Sequence, residues 1–275
     1  GGLSRQDRVA GAPAAPLTGL AAAVGREEER TAADGAERAL GLLLRLEAPL
    51  IAFGGETIDN LGIIRDFPAL SMITGLLANA LGWRREETGE HDRLQDRLVL
   101  GARLERSGKR VQDNQNARLS KDDKGWTTRG KPEERAGGSG TYESPHRRSR
   151  DYHADLSMLV ALRLEPTDEP PTLDELATAL DHPARPLFIG RKPCLPSRRI
   201  FAGWHKGESL LHVLRSVPLP NDLPEGARLQ WPDGEGTLPG DRILDLCDER
   251  NWTSGVHGGW RPVREGWIRA EEDLP

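Results

Sequence analysis

The stretch RPLFIGRKPCLPSRRIFAGWHK, residues 185–206, joins a short apolar segment to a run of positive charge. Leu187 to Ile189 is apolar and ends at Gly190, which is typical of a buried strand that enters a tight turn. Arg191 and Lys192 follow this turn, where phosphate would be a natural partner. The stretch holds six Lys or Arg and no Asp or Glu, although the chain has a formal net charge of −5. The pattern alone leaves two interpretations open, a phosphate-binding turn and a surface turn with solvated charges.

Further strands and helices precede this segment, and their order predicts the fold. In chain order, the pattern predicts a strand at Gly41–Glu47, a helix from Pro68 that ends at Gly82, strands at Arg97–Arg106 and Asp155–Glu165, a helix that begins with a capping box at Thr172 and Glu175, and a strand at Pro186–Ile189. This order predicts an α+β fold with a ferredoxin-like (RRM-like) domain, whose two helices share one face of an antiparallel sheet. The other face is a known platform for RNA in proteins of this architecture.

A long polar insertion separates the second and third predicted strands. Residues 107–152 show almost no apolar periodicity, and residues 101–150 carry 13 Lys or Arg against 7 Asp or Glu, a net of +6. Since such a segment cannot form a core of its own, we expect it to be mobile alone and ordered on assembly. Lys124 would follow phosphates, and Trp126 would stack on a base or pack on a partner subunit.

The chain therefore divides into three predicted regions. Residues 1–38 form a flexible tail, residues 39–200 form the ferredoxin-like domain with its insertion at 107–152, and residues 201–275 form a small, mainly β region. A short helix at Ser209–Leu214 and short strands are predicted in the last region. Five of the seven Trp lie after residue 200, where core packing is a more common role than base stacking.

Composition argues against several functional classes. The two cysteines, Cys194 and Cys247, stand apart and have no clustered His, so neither a zinc site nor a disulfide is expected, and a reducing cytoplasm fits. No apolar run has the length of a membrane span, and no phosphate-loop signature occurs. The acidic pairs are typical of solvated surfaces. We therefore expect no cofactor, no metal and no membrane partner.

Four stretches together resemble the Cas-five family of the RAMP superfamily, whose members belong to type I CRISPR surveillance complexes, and they are most similar to its type I-E (CasD) branch. The stretches are LLLRLEAPLIAFG (42–54), RDFPALSMITGLLANALGW (65–83), RDYHADLSMLVALRLE (150–165) and LFIGRKPCLPS (187–197). The sequence departs from the family at Ala69 to Met72, where a basic residue is often found before the first helix. The first turn of this helix is expected to expose unpaired N–H groups, but the missing basic residue puts a phosphate contact there in doubt.

The resemblance implies a non-catalytic subunit that holds the 5′ handle of the CRISPR RNA and caps the backbone filament of Cascade. Its implied partners are the CRISPR RNA, the backbone RAMP subunits, the large subunit and, indirectly, target DNA. The insertion would be the thumb that reaches a neighbouring backbone subunit. The RNA-binding residues that we expect are Arg45, Arg65, Lys109, Gln112, Asn114, Gln115, Lys124, Trp126, Arg147, Arg150, Tyr152, Gly190, Arg191, Lys192 and Arg198.

Two other interpretations remain open at this point. A metal-independent endoribonuclease that processes CRISPR repeat RNA would need a base, an acid and a phosphate clamp, and Tyr142, His146, Tyr152 and His153 are the candidate residues. Adjacent residues of a strand point to opposite faces, so Tyr152 and His153 are poorly placed to act together. We therefore expect no catalysis. The plainest alternative is an unrelated ferredoxin-like domain with a charged loop.

Overall fold

The computed structural model describes residues 39–58, 61–117, 125–126, 132–133, 146–220 and 226–269. The described residues from Leu40 onward form one compact unit. The predicted flexible tail, residues 1–38, lies outside the described residues. Within the described part of the chain, no helix is long and apolar enough to cross a membrane.

In the described residues, ten strands form one sheet and two short strands pair separately. The sheet consists of β1 Ala39–Ile51, β2 Gly54–Ile58, β3 Leu61–Ile64, β4 Leu98–Arg106, β5 Lys109–Ala117, β8 His146–Leu164, β9 Phe201–Gly207, β10 Ala227–Pro232, β11 Arg242–Leu246 and β12 Arg261–Ile268. The separate pair is β6 Gly125–Trp126 with β7 Pro132–Glu133. The order along the sheet is β11-β12-β10-β4-β8-β1-β9, so the predicted C-terminal β region extends the same sheet as the strands before it.

The 19-residue strand β8 is the centre of this sheet. Its second half pairs antiparallel with β1 on one side and with β4 on the other, while its first half pairs with β5 and, in parallel, with β3. The second half is largely apolar and is buried on both faces, whereas the first half is largely polar and at least partly exposed, although Tyr152 and His153 at its end are buried. One strand therefore carries both the core of the fold and the base of the insertion.

Four helices pack on the sheet within the described residues, namely α1 Leu70–Leu81, α2 Thr88–Arg97, α3 Leu173–Asp181 and α4 Leu210–Ser216. α1 and α3 share one face, where they form the main core with alternate residues of β1 such as Leu42, Leu44 and Leu46. Two predicted helix boundaries are confirmed, whereas α1 begins at Leu70 and not at Pro68. Gly82 ends α1 with a left-handed φ of 86°, and Thr172 and Glu175 form the capping box of α3.

The opposite face of the sheet is not the open platform that we expected. α4 covers part of it and forms a second core there, and the predicted helix at Ser209–Leu214 is thereby confirmed. This core includes Leu43, Leu159, Ala161, Leu210, Leu214, Leu229 and Trp231. Apolar residues that alternate with the first set along β1 and β8 require this second layer, because they would otherwise face water.

Three predictions about individual elements need correction. Pro186–Ile189 is not a strand, and β9 takes the edge position beside β1 instead. A four-residue apolar run fits a buried loop as well as a strand, so periodicity could not distinguish the two. α2 was not predicted, because its sequence is polar and its buried positions include Gln95 and Arg97. The insertion, predicted to lack structure, begins and ends as the paired strands β5 and β8.

Arg103 of β4 connects the sheet to α4. Its side chain is fully buried, and its guanidinium donates hydrogen bonds to the carbonyl oxygens of Leu214 (2.5 Å), Val217 (2.5 Å) and Pro218 (3.1 Å). It also donates to the buried carboxylate of Glu105 at 2.5 Å, and Glu105 in turn pairs with Arg45. Because the last carbonyls of a helix have no partner within the helix, Arg103 satisfies groups that would otherwise be buried and unpaired. Burial lowers the pKa of Arg103, and the hydrogen bond with Glu105 opposes this shift.

Replacement of Arg103 by Met should lower the free energy of unfolding by about 3–5 kcal/mol, because it leaves buried carbonyls unpaired and removes one of the two cations beside Glu105. Urea unfolding followed by circular dichroism measures the change. Arg93→Met is the matched control, since the Arg93 side chain is 61% exposed and, among the described residues, its ion-pair partner is Glu90 alone. The control should lose less than about 1 kcal/mol. Equal losses in the two variants would contradict the role of Arg103.

Candidate nucleic-acid interface

The basic stretch forms a turn that packs against the end of β1. The amide of Ala52 donates to the carbonyl of Ile189 at 3.3 Å, and the amide of Ile189 donates to the carbonyl of Cys194 at 2.8 Å. Gly190 follows with a φ of 89°, and a Cβ at this position would lie 1.8 Å from the carbonyl oxygen of Ala52. Glycine is therefore required here, as the sequence indicated, because the backbone closely approaches β1.

Arg191 holds the turn to the sheet. Its guanidinium donates to the carbonyl oxygens of Asp151 at 2.8 Å and Gly62 at 3.1 Å, and it lies 4.8 Å from the ring centroid of Tyr152. These contacts join the turn to β3 and β8, so Arg191 has a structural role. Lys192, the next residue, is exposed and forms no ion pair within the described residues.

A cavity of about 320 Å³ lies beside this turn. Its walls come from α1, the Gly190 turn, the glycines at the start of β2 and the segment at residues 250–257. Arg191, Arg250 and His257 line it together with the rings of Phe188 and Trp252, and its described lining residues include no Asp or Glu. Cationic donors beside aromatic rings suit a nucleotide, whose phosphate is anionic and whose base stacks.

The C-terminal part of this cavity was missed by the sequence reasoning. Arg250 lies 59 positions after Arg191 in sequence, and α2 holds Arg250 and Trp252 in place. Gln95 accepts hydrogen bonds from the backbone amide of Arg250 at 3.1 Å and from the indole nitrogen of Trp252 at 3.2 Å. The ring of His91 lies 4.5 Å from that of Trp252. The close spacing of Arg250 and Trp252 is compatible with nucleotide binding, but nothing in the sequence indicated that they line this cavity.

A second candidate surface is the polar arm, which we define as β5 with the first half of β8. Nine residue pairs join the two strands, from Lys109 with Ala154 to Ala117 with His146, and every residue of β5 is exposed. Side-chain hydrogen bonds cross the arm from Gln112 to Asp151 and from Ser149 to Asn114. The arm is thus stabilised by strand pairing and polar contacts, which apolar periodicity does not report.

The register divides the predicted binding residues of the arm between its two faces. Residues that alternate along a strand share a face, and directly opposed residues do as well. One face therefore carries Lys109, Gln115, Arg150 and Tyr152, and the other carries Gln112, Asn114 and Arg147. Tyr152 is only 4% exposed, so it contacts Arg191 rather than solvent. Lys124 lies outside the described residues, and Trp126 is described only as a part of β6.

Three other predicted binding residues have partners within the protein. Arg45 pairs with Glu105, Arg198 lies 3.5 Å from the carboxylate of Glu47, and Arg65 donates to the carbonyl oxygen of Cys247 at 2.8 Å. The structure does not bring these side chains to the cavity. Each guanidinium already has an acceptor, so a phosphate would have to compete with it.

The first helix does not offer its N-terminus to phosphate. The amide of Leu70 donates to the carboxylate of Asp248 at 2.9 Å, and the amide of Ser71 donates to the carbonyl of the same residue at 3.1 Å. Asp248 is buried and pairs with Arg261 at 2.7 Å. The expectation of unpaired amides at this helix end is therefore wrong, because a distant carboxylate occupies the position.

The geometry does not assemble the candidate nuclease residues. Tyr152 and His153 point to opposite faces of β8, and both are buried, at 4% and 6% exposure. A ring nitrogen of His153 lies 2.9 Å from the carbonyl oxygen of Arg65. Tyr142 lies outside the described residues, and the side chain of His146 is not described. No group of three or more His, Cys, Asp or Glu is placed to hold a metal ion within the described part of the chain.

Comparisons with known proteins gave a family match and matches to solved structures. Residues 41–264 match the family described as CRISPR-associated protein (Cas_Cas5). A structure described as "CRISPR RNA-guided surveillance complex" contains a chain with a TM-score of 0.59 and 21% identity, which covers 85% of this chain and 92% of that chain. A second, described as "Crystal structure of Cas protein", has a TM-score of 0.55, 23% identity and coverages of 86% and 97%. A comparison with curated protein sequences gave no match.

Replacement of Gly190 by Ala should destabilise the protein by more than about 2 kcal/mol, because the added Cβ would collide with the backbone of Ala52 and the residue would be held at positive φ. Thermal and urea unfolding measure this effect. Gly54→Ala, at the start of β2, is the control, since an added Cβ there meets no atom within 4 Å. A Gly190 variant as stable as the control would show that the turn can move away from β1.

Proposed function

The chain belongs to the CRISPR-associated Cas5 family, and from this premise we propose that it is a non-catalytic RNA-binding subunit of a type I-E Cascade surveillance complex. It would hold the 5′ handle of the CRISPR RNA and cap one end of the backbone filament, in the cytoplasm. The match over residues 41–264 supports the family, and the similarity to a chain of a surveillance complex supports the fold.

We further propose that the centre of the fold is a ferredoxin-like (RRM-like) domain. The strand order β9-β1-β8-β4, with α1 and α3 on one face, supports this assignment. In this arrangement β9, and not the apolar segment before Gly190, is the fourth strand of the domain. The turn at Gly190 is then the connection from α3 to the last strand, and it places Lys192 at the end of β1.

The observation that carries the RNA-binding proposal is the cavity beside this turn. It combines two guanidiniums, an imidazole and two aromatic rings, and no carboxylate is among the described residues that line it. A single-stranded nucleotide offers a phosphate for the cations and a base for the rings. The exposed arm would extend the contact surface, with Arg147 and Arg148 close to its described end.

The proposed partners follow from this assignment. The CRISPR RNA would occupy the cavity, the arm would reach a backbone RAMP subunit, and the large subunit would contact another face of the protein. Target DNA would be an indirect partner through the RNA. The polar, exposed character of the arm supports contact with RNA or a hydrophilic subunit surface, because it buries little of its own area in the free protein.

We propose that the protein does not cleave RNA. The burial of Tyr152 and His153 on opposite faces of β8 supports this, since a general acid and base must reach the same phosphate. Repeat RNA should remain intact after incubation with the purified protein in EDTA and in magnesium, as read on a denaturing gel. Specific cleavage that His146→Ala or His153→Ala abolishes would instead establish the endoribonuclease alternative.

Lys192→Ala should weaken binding of a repeat-derived 5′-handle RNA and lower the slope of log affinity against log salt by about one, without loss of stability. The side chain is exposed and follows the Gly190 turn directly. Lys206→Ala, which removes the same charge from β9, is the matched control. Fluorescence anisotropy over a salt series measures both variants, and equal slopes would argue against a phosphate contact at Lys192. Arg191→Ala is less informative, because it also removes two hydrogen bonds to backbone carbonyls.

Replacement of residues 116–147 by Asn-Gly should leave the protein folded but prevent its stable assembly with an RNA-bound backbone filament. Gln115 and Arg148 are directly opposed, so a two-residue turn can join them without a change of register. The pairing of β3 with Ser149 and Arg150 would be retained. Circular dichroism checks the fold, and size-exclusion chromatography of the mixed subunits measures assembly. Assembly with normal affinity would contradict the thumb role of the arm.

A further inference from the structure

Arg103 and Arg250 each have a buried Nε atom without a hydrogen-bond partner. The Nη atoms of Arg103 donate to neighbouring oxygens, whereas within the described residues no hydrogen bond forms from the side chain of Arg250. The residue begins a short loop whose ends pair at Arg250 and His257, and its side chain lines the cavity described above. Its Nε atom is buried and forms no hydrogen bond. The guanidinium carbon lies 5.3 Å from the ring centroid of Trp252. A buried donor without an acceptor costs free energy, so the free protein holds this group ready for an acceptor that it does not itself contain.

The nearest cation increases this cost. An added Cβ on Gly255 would lie 3.0 Å from an Nη atom of Arg250 and 3.9 Å from an Nη atom of Arg85, so the two guanidiniums approach the same point. The pKa of Arg250 is lowered, mainly by burial and to a smaller extent by repulsion from Arg85. Neither arginine forms an ion pair with any carboxylate of the described residues. Two like charges close together and without a counter-charge repel each other, and an anion bound between them would replace this repulsion by attraction.

The surroundings limit the kind of anion. The adjoining cavity is lined by aromatic rings and by Arg191 and His257, and no carboxylate occurs in the part of its lining that the structure describes. Guanidinium groups bind phosphate oxygens through paired N–H donors, and two guanidiniums can hold one phosphate from two sides. Arg85 is exposed, so the space between the two guanidiniums is accessible to an RNA chain that approaches from solvent.

We propose that Arg85 and Arg250 bind one phosphate group of the RNA whose neighbouring nucleotide occupies the cavity, an assignment that rests on the function proposed above. The Nε and Nη groups of Arg250 donate to the phosphate from the cavity wall, and Arg85 donates from the solvent side. Trp252 holds the Arg250 guanidinium in place. The C-terminal region, through the loop at residues 250–257, thereby takes part directly in RNA binding.

A purely structural role for Arg250 predicts different behaviour. If Arg250 only packs on Trp252 to stabilise its loop, then Arg250→Gln should lower the melting temperature of the free protein. If it is held ready for phosphate, the same change removes an unpaired buried cation and relieves repulsion with Arg85. The melting temperature of the free variant should then stay the same or rise.

The first measurement uses inorganic phosphate and the full chain. Phosphate should raise the melting temperature of the wild-type protein more than chloride does at equal ionic strength, because it binds the native state. Arg250→Gln and Arg85→Gln should each abolish this difference. Arg93→Gln is the matched control, because Arg93 lies on α2 and already pairs with Glu90, and it should keep the difference. A phosphate effect that both test variants retain would overturn the proposed site.

The second measurement uses repeat-derived RNA with either a 5′-phosphate or a 5′-hydroxyl. Arg250→Gln should weaken binding about tenfold and lower the salt slope by about one. The double variant should also lose about one unit of slope, since both arginines contact the same phosphate. A loss with both RNAs identifies an internal phosphodiester, and a loss only with the 5′-phosphate identifies the terminal group. Because Arg85 is exposed, Arg85→Gln tests the site even if Arg250→Gln fails to fold.

The two measurements separate this proposal from the proposed function. If the wild-type protein binds no RNA but its phosphate effect depends on Arg250 and Arg85, the site stands and the RNA-binding function falls. If RNA binds with unchanged affinity and slope in both folded variants, the site is wrong and the function stands.

Discussion

The backbone pairing of β8 is the interaction on which the rest of the structure depends. Its second half lies between β1 and β4 in the sheet, and its first half pairs with β5 to form the arm. The change from core to arm occurs at Asp155, which has a φ of 58°, and the register with β4 shifts between Leu104 and Arg106. A register shift of this kind bends a strand, so the direction of the arm is set at its base by the sheet itself.

The basic residues fall into two groups. Some donate hydrogen bonds that stabilise the fold, and others are available to bind RNA. Arg97 donates to the carbonyls of Pro166 and Glu169, Arg103 to carbonyls at the end of α4, and Arg191 to carbonyls of β3 and β8. These guanidiniums satisfy backbone acceptors that folding removes from water. Charge in the sequence therefore overestimates the charge that is free for RNA, and Lys192 and Arg85 remain free of ion pairs among the described residues.

The C-terminal region completes the surface that the first part of the chain begins. Asp248 binds the N-terminus of α1, and Gln95 of α2 holds the loop that carries Arg250 and Trp252. The C-terminal region is also part of the central sheet, because β10 pairs with β4. It is therefore not a separate structural unit. The cavity has walls from both parts of the chain, so its chemistry exists only when they are packed together.

Short-range sequence patterns predicted the local features of this protein. Periodicity predicted β1, α1 and α4, capping chemistry predicted the start of α3, and the steric requirement at Gly190 was evident from the way an apolar run stops there. Family motifs in the same segments identified the Cas5 family. These features depend on residues that are neighbours in the chain, and short-range patterns report such residues well.

Long-range packing determines which distant residues come into contact. It placed β9 beside β1 in place of the predicted strand at Pro186–Ile189, covered the second sheet face with α4, and supplied Asp248 to the helix end that had been expected to be open. It also brought Arg250 to the cavity beside Arg191. Local patterns show which residues prefer burial or charge. The partner of each group is fixed by long-range packing and by the need to satisfy every buried donor and acceptor, which no short segment of sequence contains.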